Sequence, residues 1–330
     1  MEVLLKREKQ PTLLGVNLVY LIVLLLMIGS QVILASWIPE TSEGADYYWK
    51  LLIMEFVLIG LPALIYMLIF RMDIRKVIRL NPIKPGEGLL VLGMAIFGYW
   101  VMIIINLIWY WIVSHLGTPV GQHLPDIQNE KQLLAAVAVI GFVPALVEEF
   151  LFRGLILRGY EKFGSKVAIV MTGILFGMLH IQLLSIPSII LIGIIISYVV
   201  YRTNSILAGI IYHFVHNGMT VFFLFVQNLL IGNPEMAQQL PQDISQIPHD
   251  DLSVAFVVWG IIGFFALILF AGCVITLHIY TRGKGQVRAV SLEETRRLSI
   301  VEMLPAFAAM IIIIVNIIFE ILYMMGKTNI

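Results

Sequence analysis

Long apolar runs broken by short polar punctuation recur along the whole chain. They lie at roughly 12–36, 51–70, 88–113, 132–158, 166–182, 186–201, 204–231, 252–280 and 301–325. Most are long enough to cross ~30 Å of hydrocarbon at about 1.5 Å per helical residue. The fifth and sixth runs are short and joined by "QLLSIPS", so they read either as two spans or as one broken or re-entrant unit. The pattern predicts an all-α fold, a polytopic membrane helical bundle of about 8–9 transmembrane helices. It divides into N-terminal spans (1–131), a central group of four (132–231) and C-terminal spans (252–330).

Composition agrees. Of 330 residues, 60% are hydrophobic and 13% charged, and mean hydropathy is +0.95; a soluble domain is nearer half apolar and a quarter charged. Basic residues mark one side of the membrane. Lys6, Arg7 and Lys9 precede the first run, and Arg71, Arg75, Lys76, Arg79 and Lys84 follow the second. Arg158, Lys162, Lys166, Arg202 and then Arg282, Lys284, Arg288, Arg296 and Arg297 continue that series. The other side has Lys50, Lys131 and Lys327 among acids such as Glu40, Glu43, Asp46, Glu235 and Asp243. By the positive-inside rule the N-terminus is cytoplasmic and the C-terminus outside, with an odd number of spans, in a cell (plasma) membrane.

Zero net charge offers nothing to a nucleic acid, and the lone Cys273 excludes an internal disulfide framework. The first run exceeds a signal-peptide core and reads as a retained span. The basic segment 71–87 is expected to be an interfacial helix ending at Pro82, resting on the anionic lipid bilayer surface.

An ionisable residue in mid-membrane is costly and marks function by default. Three places qualify: "EEFLFR" with Glu148, Glu149 and Arg153; "FGMLH" ending at His180; and "HFVHN" with His213, His216 and Asn217. Counted from the basic residue at each cytoplasmic boundary, all three sit at about 15–21 Å depth. Glu149 and Arg153 stand at i, i+4 in the better orientation for a salt bridge. Glu148 lies about 100° round the helix, free of a local partner. No other acid is expected in the cluster, Glu149 being held by Arg153. His213 and Asn217 share one helix face, with His216 near it. Pro144 should kink the helix against the Ile140 carbonyl, and Gly173 and Gly177 form a G-x-x-x-G step that permits close helix approach.

Taken singly, each of these has a bland explanation: an interhelical hydrogen bond for His180, a structural bridge for Glu149–Arg153. His115, His123 and His249 fall in outer loops and His278 at a membrane edge. Glu55 and Glu320, near the outer ends of their spans, are expected to reach the interface. The common depth of the three polar groups is what favours one shared site.

A carboxylate and a neutral imidazole suffice to activate water for acyl hydrolysis, with Glu148 as base and His180 orienting the water or protonating the leaving amine. His213 and Asn217 are suitable donors to an oxyanion. Alternatively Glu148, His180 and His213 could be three Zn²⁺ ligands with an open fourth position; spacing alone does not separate the two. H-E-x-x-H, G-x-G-D and G-x-S-G are all absent.

These motifs resemble those of the CAAX protease and bacteriocin-processing (CPBP, or ABI) intramembrane endopeptidases. Glu148, Glu149 and Arg153 match E-E-x-x-x-R, Phe176 and His180 match F-x-x-x-H, and His213 and Asn217 match H-x-x-x-N, in order and at the family's usual separation. The resemblance covers about a third of the chain. It implies a conical intramembrane active-site cavity and cleavage of a membrane-associated, in some relatives prenylated, protein or peptide substrate. It further implies that Glu148 and His180 activate water, that Glu149 and Arg153 support them, and that His213 and Asn217 hold the oxyanion. A metal-free mechanism is favoured, so no cofactor is expected, zinc being the alternative. The rival class is a proton-coupled transporter or an immunity or scaffold protein that kept the fold, but a transporter should show related halves and no internal repeat is evident.

Overall fold

The computed structural model describes residues 9–35, 45–117, 125, 127–231, 249–283 and 299–326. Helices α1 (Leu13–Ala35), α2 (Asp46–Ile69), a single turn α3 (Ile74–Val77) and α4 (Pro85–Ser114) come first. The central group is α5 (Glu130–Phe163), α6 (Ser165–Leu179), α7 (Ile186–Thr203) and α8 (Ile206–Ile231), and α9 (His249–Tyr280) and α10 (Ile300–Met324) complete the bundle. Among the described residues eight helices are long and apolar enough to cross a membrane. The fifth expected span, α6, is an apolar helix of only 15 residues.

Local chemistry sets the ends. Asn129 caps α5 by accepting the Gln132 N–H at 3.0 Å. Pro85 opens α4, where Glu87 accepts the Lys84 N–H at 3.3 Å. Asn204, left-handed at φ 58°, ends α7 and turns the chain directly into α8.

Inside the bundle, α5 is central. Leu151, Phe152, Leu155, Ile156, Leu157 and Tyr160 are all buried. A polar tie crosses three helices: Tyr160 Oη donates to Asn17 Oδ1 at 2.7 Å, and Asn17 Nδ2 donates to the Glu302 carbonyl at 2.8 Å. Helices α6 and α7 form an antiparallel hairpin, Gly173 lying against Ile194 and Gly177 against Ile190. An added Cβ at either glycine would stand 2.6–2.7 Å from an Ile backbone nitrogen, so the close approach expected of G-x-x-x-G is made, with α7 as its partner.

Two expectations change. The segment 71–87 is not one interfacial helix. Arg158 donates to the carbonyls of Val77 (3.1 Å) and Lys76 (2.7 Å), which a longer helix would have used internally. The chain then turns at Arg79 (φ 58°), whose buried guanidinium pairs with Glu161, while Arg71, Arg75, Lys76 and Lys84 remain exposed. Glu55 does not reach an interface either; it is buried within the bundle. Next to Pro144 the helix also holds a π-helical stretch, Val137–Phe142, bonded i to i−5. His123, Lys6, Arg7, Glu40, Glu43, Glu235, Asp243, Lys284, Arg288, Arg296, Arg297 and Lys327 lie outside the described residues.

Candidate active site

Helix α5 carries its charges on a short α-helical stretch, Val143–Glu149, between two π-helical ones, Val137–Phe142 and Phe150–Ile156. Each π turn holds one residue more than an α turn, so the stretch is rotated relative to both flanks. Pro144 denies the Ile140 carbonyl its i+4 donor, and Asn217 on α8 supplies one, Nδ2 donating at 3.3 Å.

Glu149 is the hub. Its Oε1 accepts from Arg153 Nη1 at 2.7 Å and from His213 Nδ1 at 3.0 Å. Arg153 is fully buried, donates a second bond to the Gly193 carbonyl at 3.0 Å, and lies 4.4 Å from the Phe176 ring centroid. A buried guanidinium held by a carboxylate, a carbonyl and an aromatic face is compensated in the way hydrocarbon requires. Gly209 makes room for this hub: a Cβ there would come within 2.6 Å of Glu149 Oε2.

Phe176 is the platform between the other groups. Its ring stands 4.9 Å from the His180 ring and 5.7 Å from the His213 ring. His180 sits just past the end of α6, and its Nδ1 bonds the Phe176 carbonyl at 2.9 Å, one that the helix terminus leaves free. Ile181 follows in the left-handed region at φ 50°, a strained place for a β-branched residue. It turns the chain immediately after the imidazole.

These bonds assign tautomers. A carbonyl accepts only a proton, so His180 carries N–H at Nδ1; His213 likewise donates its Nδ1–H to Glu149. Both Nε2 atoms face Glu148, His180 at 4.0 Å from Oε1 and His213 at 3.8 Å from Oε2. These gaps exceed a hydrogen bond and suit a water between the groups. His180 is a quarter exposed while Glu148 and His213 are buried, so the opening is on the His180 side.

The structure therefore brings Glu148, Glu149, Arg153, Phe176, His180 and His213 into one cluster, with Asn217 one turn beyond His213. His216 turns instead toward Tyr99, ring centroids 5.2 Å apart. Glu55 was missed. It overturns the expectation of no further acid: it is buried on a π-helical stretch of α2, Met54–Gly60, which packs on Val143–Glu149. The signal was available, since an acid inside an apolar span deserved the same suspicion as Glu148. Among the described residues no group of three or more His, Cys, Asp or Glu side chains is disposed to hold a metal ion.

Comparison with known proteins adds one match. Residues 130–219 match the type II CAAX prenyl endopeptidase Rce1-like family. The matched segment runs from the start of α5 into α8 and contains all seven motif residues from Glu148 to Asn217. No curated protein and no solved structure matches the chain. The chain thus carries an Rce1-like domain within an integral membrane protein.

Proposed function

We propose that this protein is an intramembrane endopeptidase of the CAAX protease type, hydrolysing a peptide bond of a membrane-associated protein or peptide. The observation that carries this reading is the convergence of two imidazole Nε2 atoms on the carboxylate of Glu148, each across a gap of one water. In this mechanism the water gives its proton to Glu148 while His180 Nε2 orients it for attack on the scissile carbonyl. His213, held at Nδ1 by Glu149, acts doubly protonated; its Nε2–H and the free amide N–H of Asn217 face the oxyanion. The charges then balance, Glu148 and Glu149 against Arg153 and His213. No step needs a metal, since Glu148 works as a base rather than as a ligand.

The protein would sit in the plasma membrane, N-terminus cytoplasmic, and take its substrate from the bilayer. The test uses purified full-length protein and a farnesylated peptide with a C-terminal tripeptide, followed by mass spectrometry. Release of the tripeptide that persists after long incubation with a strong chelator is expected. Absence of any cleavage overturns the reading, and a chelator-induced loss restored by zinc overturns its metal-free part.

A further inference from the structure

Three other acids among the described residues have partners. Glu149 is held by Arg153 and His213, and Glu161 by Arg79 and Arg158. Glu87 accepts the Lys84 N–H at the head of α4. Glu55 breaks the pattern. It is 7% exposed, and its buried Oε2 has no hydrogen-bond partner. Glu148 Oε2 is likewise buried without one.

The stretches that carry the two acids pack together. Gly60 of the same π-helical stretch lies against Val147, where a Cβ would be 3.1 Å from Val147 Cγ1. A carboxyl buried in hydrocarbon without a partner holds its proton, which makes Glu55 a store of one proton.

Hydrolysis leaves a vacancy for that proton. Breaking the C–N bond requires a proton on the leaving nitrogen. In the neutral form that orients the water, His180 has its proton on Nδ1, bound to the Phe176 carbonyl, and presents a lone pair to the site. His213 spends its Nε2–H on the oxyanion. Arg153 is turned away, onto Glu149 and the Gly193 carbonyl.

We propose that Glu55 is the catalytic acid of this site, paired with Glu148 and supplying the proton that the leaving amine takes up; this rests on the endopeptidase reading. Water adds to the carbonyl carbon as its proton passes to Glu148. The C–N bond breaks as the nitrogen takes the Glu55 proton, giving a carboxylic acid and an amine. Glu148 is then protonated and Glu55 ionised, and transfer of one proton from Glu148 to Glu55 resets the pair. Atoms and charge balance without a co-reactant.

The leaving group supplies the test. An alkoxide leaves without the protonation an amine needs, so the farnesylated peptide is compared with its analogue bearing an ester at the scissile bond. Glu55→Gln is expected to lower kcat on the amide by ~10²-fold at unchanged KM, to leave ester hydrolysis nearly untouched, and to keep the wild-type melting temperature. Glu55→Asp should recover part of the amide activity, and Glu148→Gln should lose both substrates. Amide cleavage by Glu55→Gln at the wild-type rate, or equal loss on amide and ester, overturns the role of Glu55 alone. Cleavage of neither probe by wild-type protein overturns the endopeptidase reading and this role with it. An infrared difference spectrum of wild type minus Glu55→Gln at neutral pH reads the proton without turnover: a protonated-carboxyl band is expected, and its absence refutes the stored proton.

Discussion

Helices α7 and α9 are almost equally apolar, with mean hydropathies of 2.5 and 2.7 in their most apolar stretches, yet half of that stretch is buried in α7 and 11% in α9. Helix α7 is clamped between α6 and α8, and Gly193 touches Gly173 while its carbonyl holds Arg153. Helix α9 packs on α4 and turns Val254, Val257, Phe264 and Phe265 outward, as a lipid-facing helix does. Between helices in a bilayer apolarity gives no direction, because lipid tails are as good a partner as another Leu. Small residues and hydrogen bonds decide which helix joins the site and which faces lipid.

The largest effects should come from the site itself. Glu148→Ala or His180→Ala is expected to reduce cleavage of the farnesylated peptide by at least ~10²-fold, while detergent-extracted protein stays monodisperse. Near-wild-type turnover of either variant would remove the buried cluster from the chemistry and leave the two regions functionally alike.

Next comes the pairing under it. Arg153→Ala leaves Glu149 without its cation and should cost ~3–5 kcal/mol of stability, lowering the melting temperature together with activity. Glu149→Gln should be milder than Glu148→Gln in turnover. Unchanged melting of Arg153→Ala would show that the pair does not hold α5 to α7. Gly209→Ala, which places a Cβ 2.6 Å from Glu149 Oε2, should lower both readouts as well.

The finest test compares glycines. In the α6–α7 seam Gly173→Ala puts a methyl 2.6 Å from the Ile194 nitrogen and is expected to destabilise by ~1–3 kcal/mol. On α9, Gly260 and Gly272 have nothing within 4 Å of an added Cβ, so Ala there should shift stability by no more than ~0.5 kcal/mol. Thermal unfolding of the three variants in one detergent checks this. Equal effects would mean that the seam is no tighter than the lipid-facing helix.

The sequence by itself determined what depends on length and on neighbours along one helix. Apolar runs measured against a bilayer placed the spans, and i, i+4 spacing paired Glu149 with Arg153, because both are short-range properties of a helix. The shared depth of "EEFLFR", "FGMLH" and "HFVHN" made a single cluster legible. Tertiary structure alone decided that His213 donates to Glu149, that the Gly193 carbonyl completes the hold on Arg153, and that Asn217 serves the carbonyl Pro144 leaves free. It also shortened α6, folded 71–87 onto Arg158, and buried Glu55 beside Glu148. Each of these depends on how helices rotate and pair, and π turns change that rotation by a residue at a time. Along the chain Glu55 is one acid in an apolar span; its neighbour comes from a helix some ninety residues away, brought there by packing that no local pattern encodes.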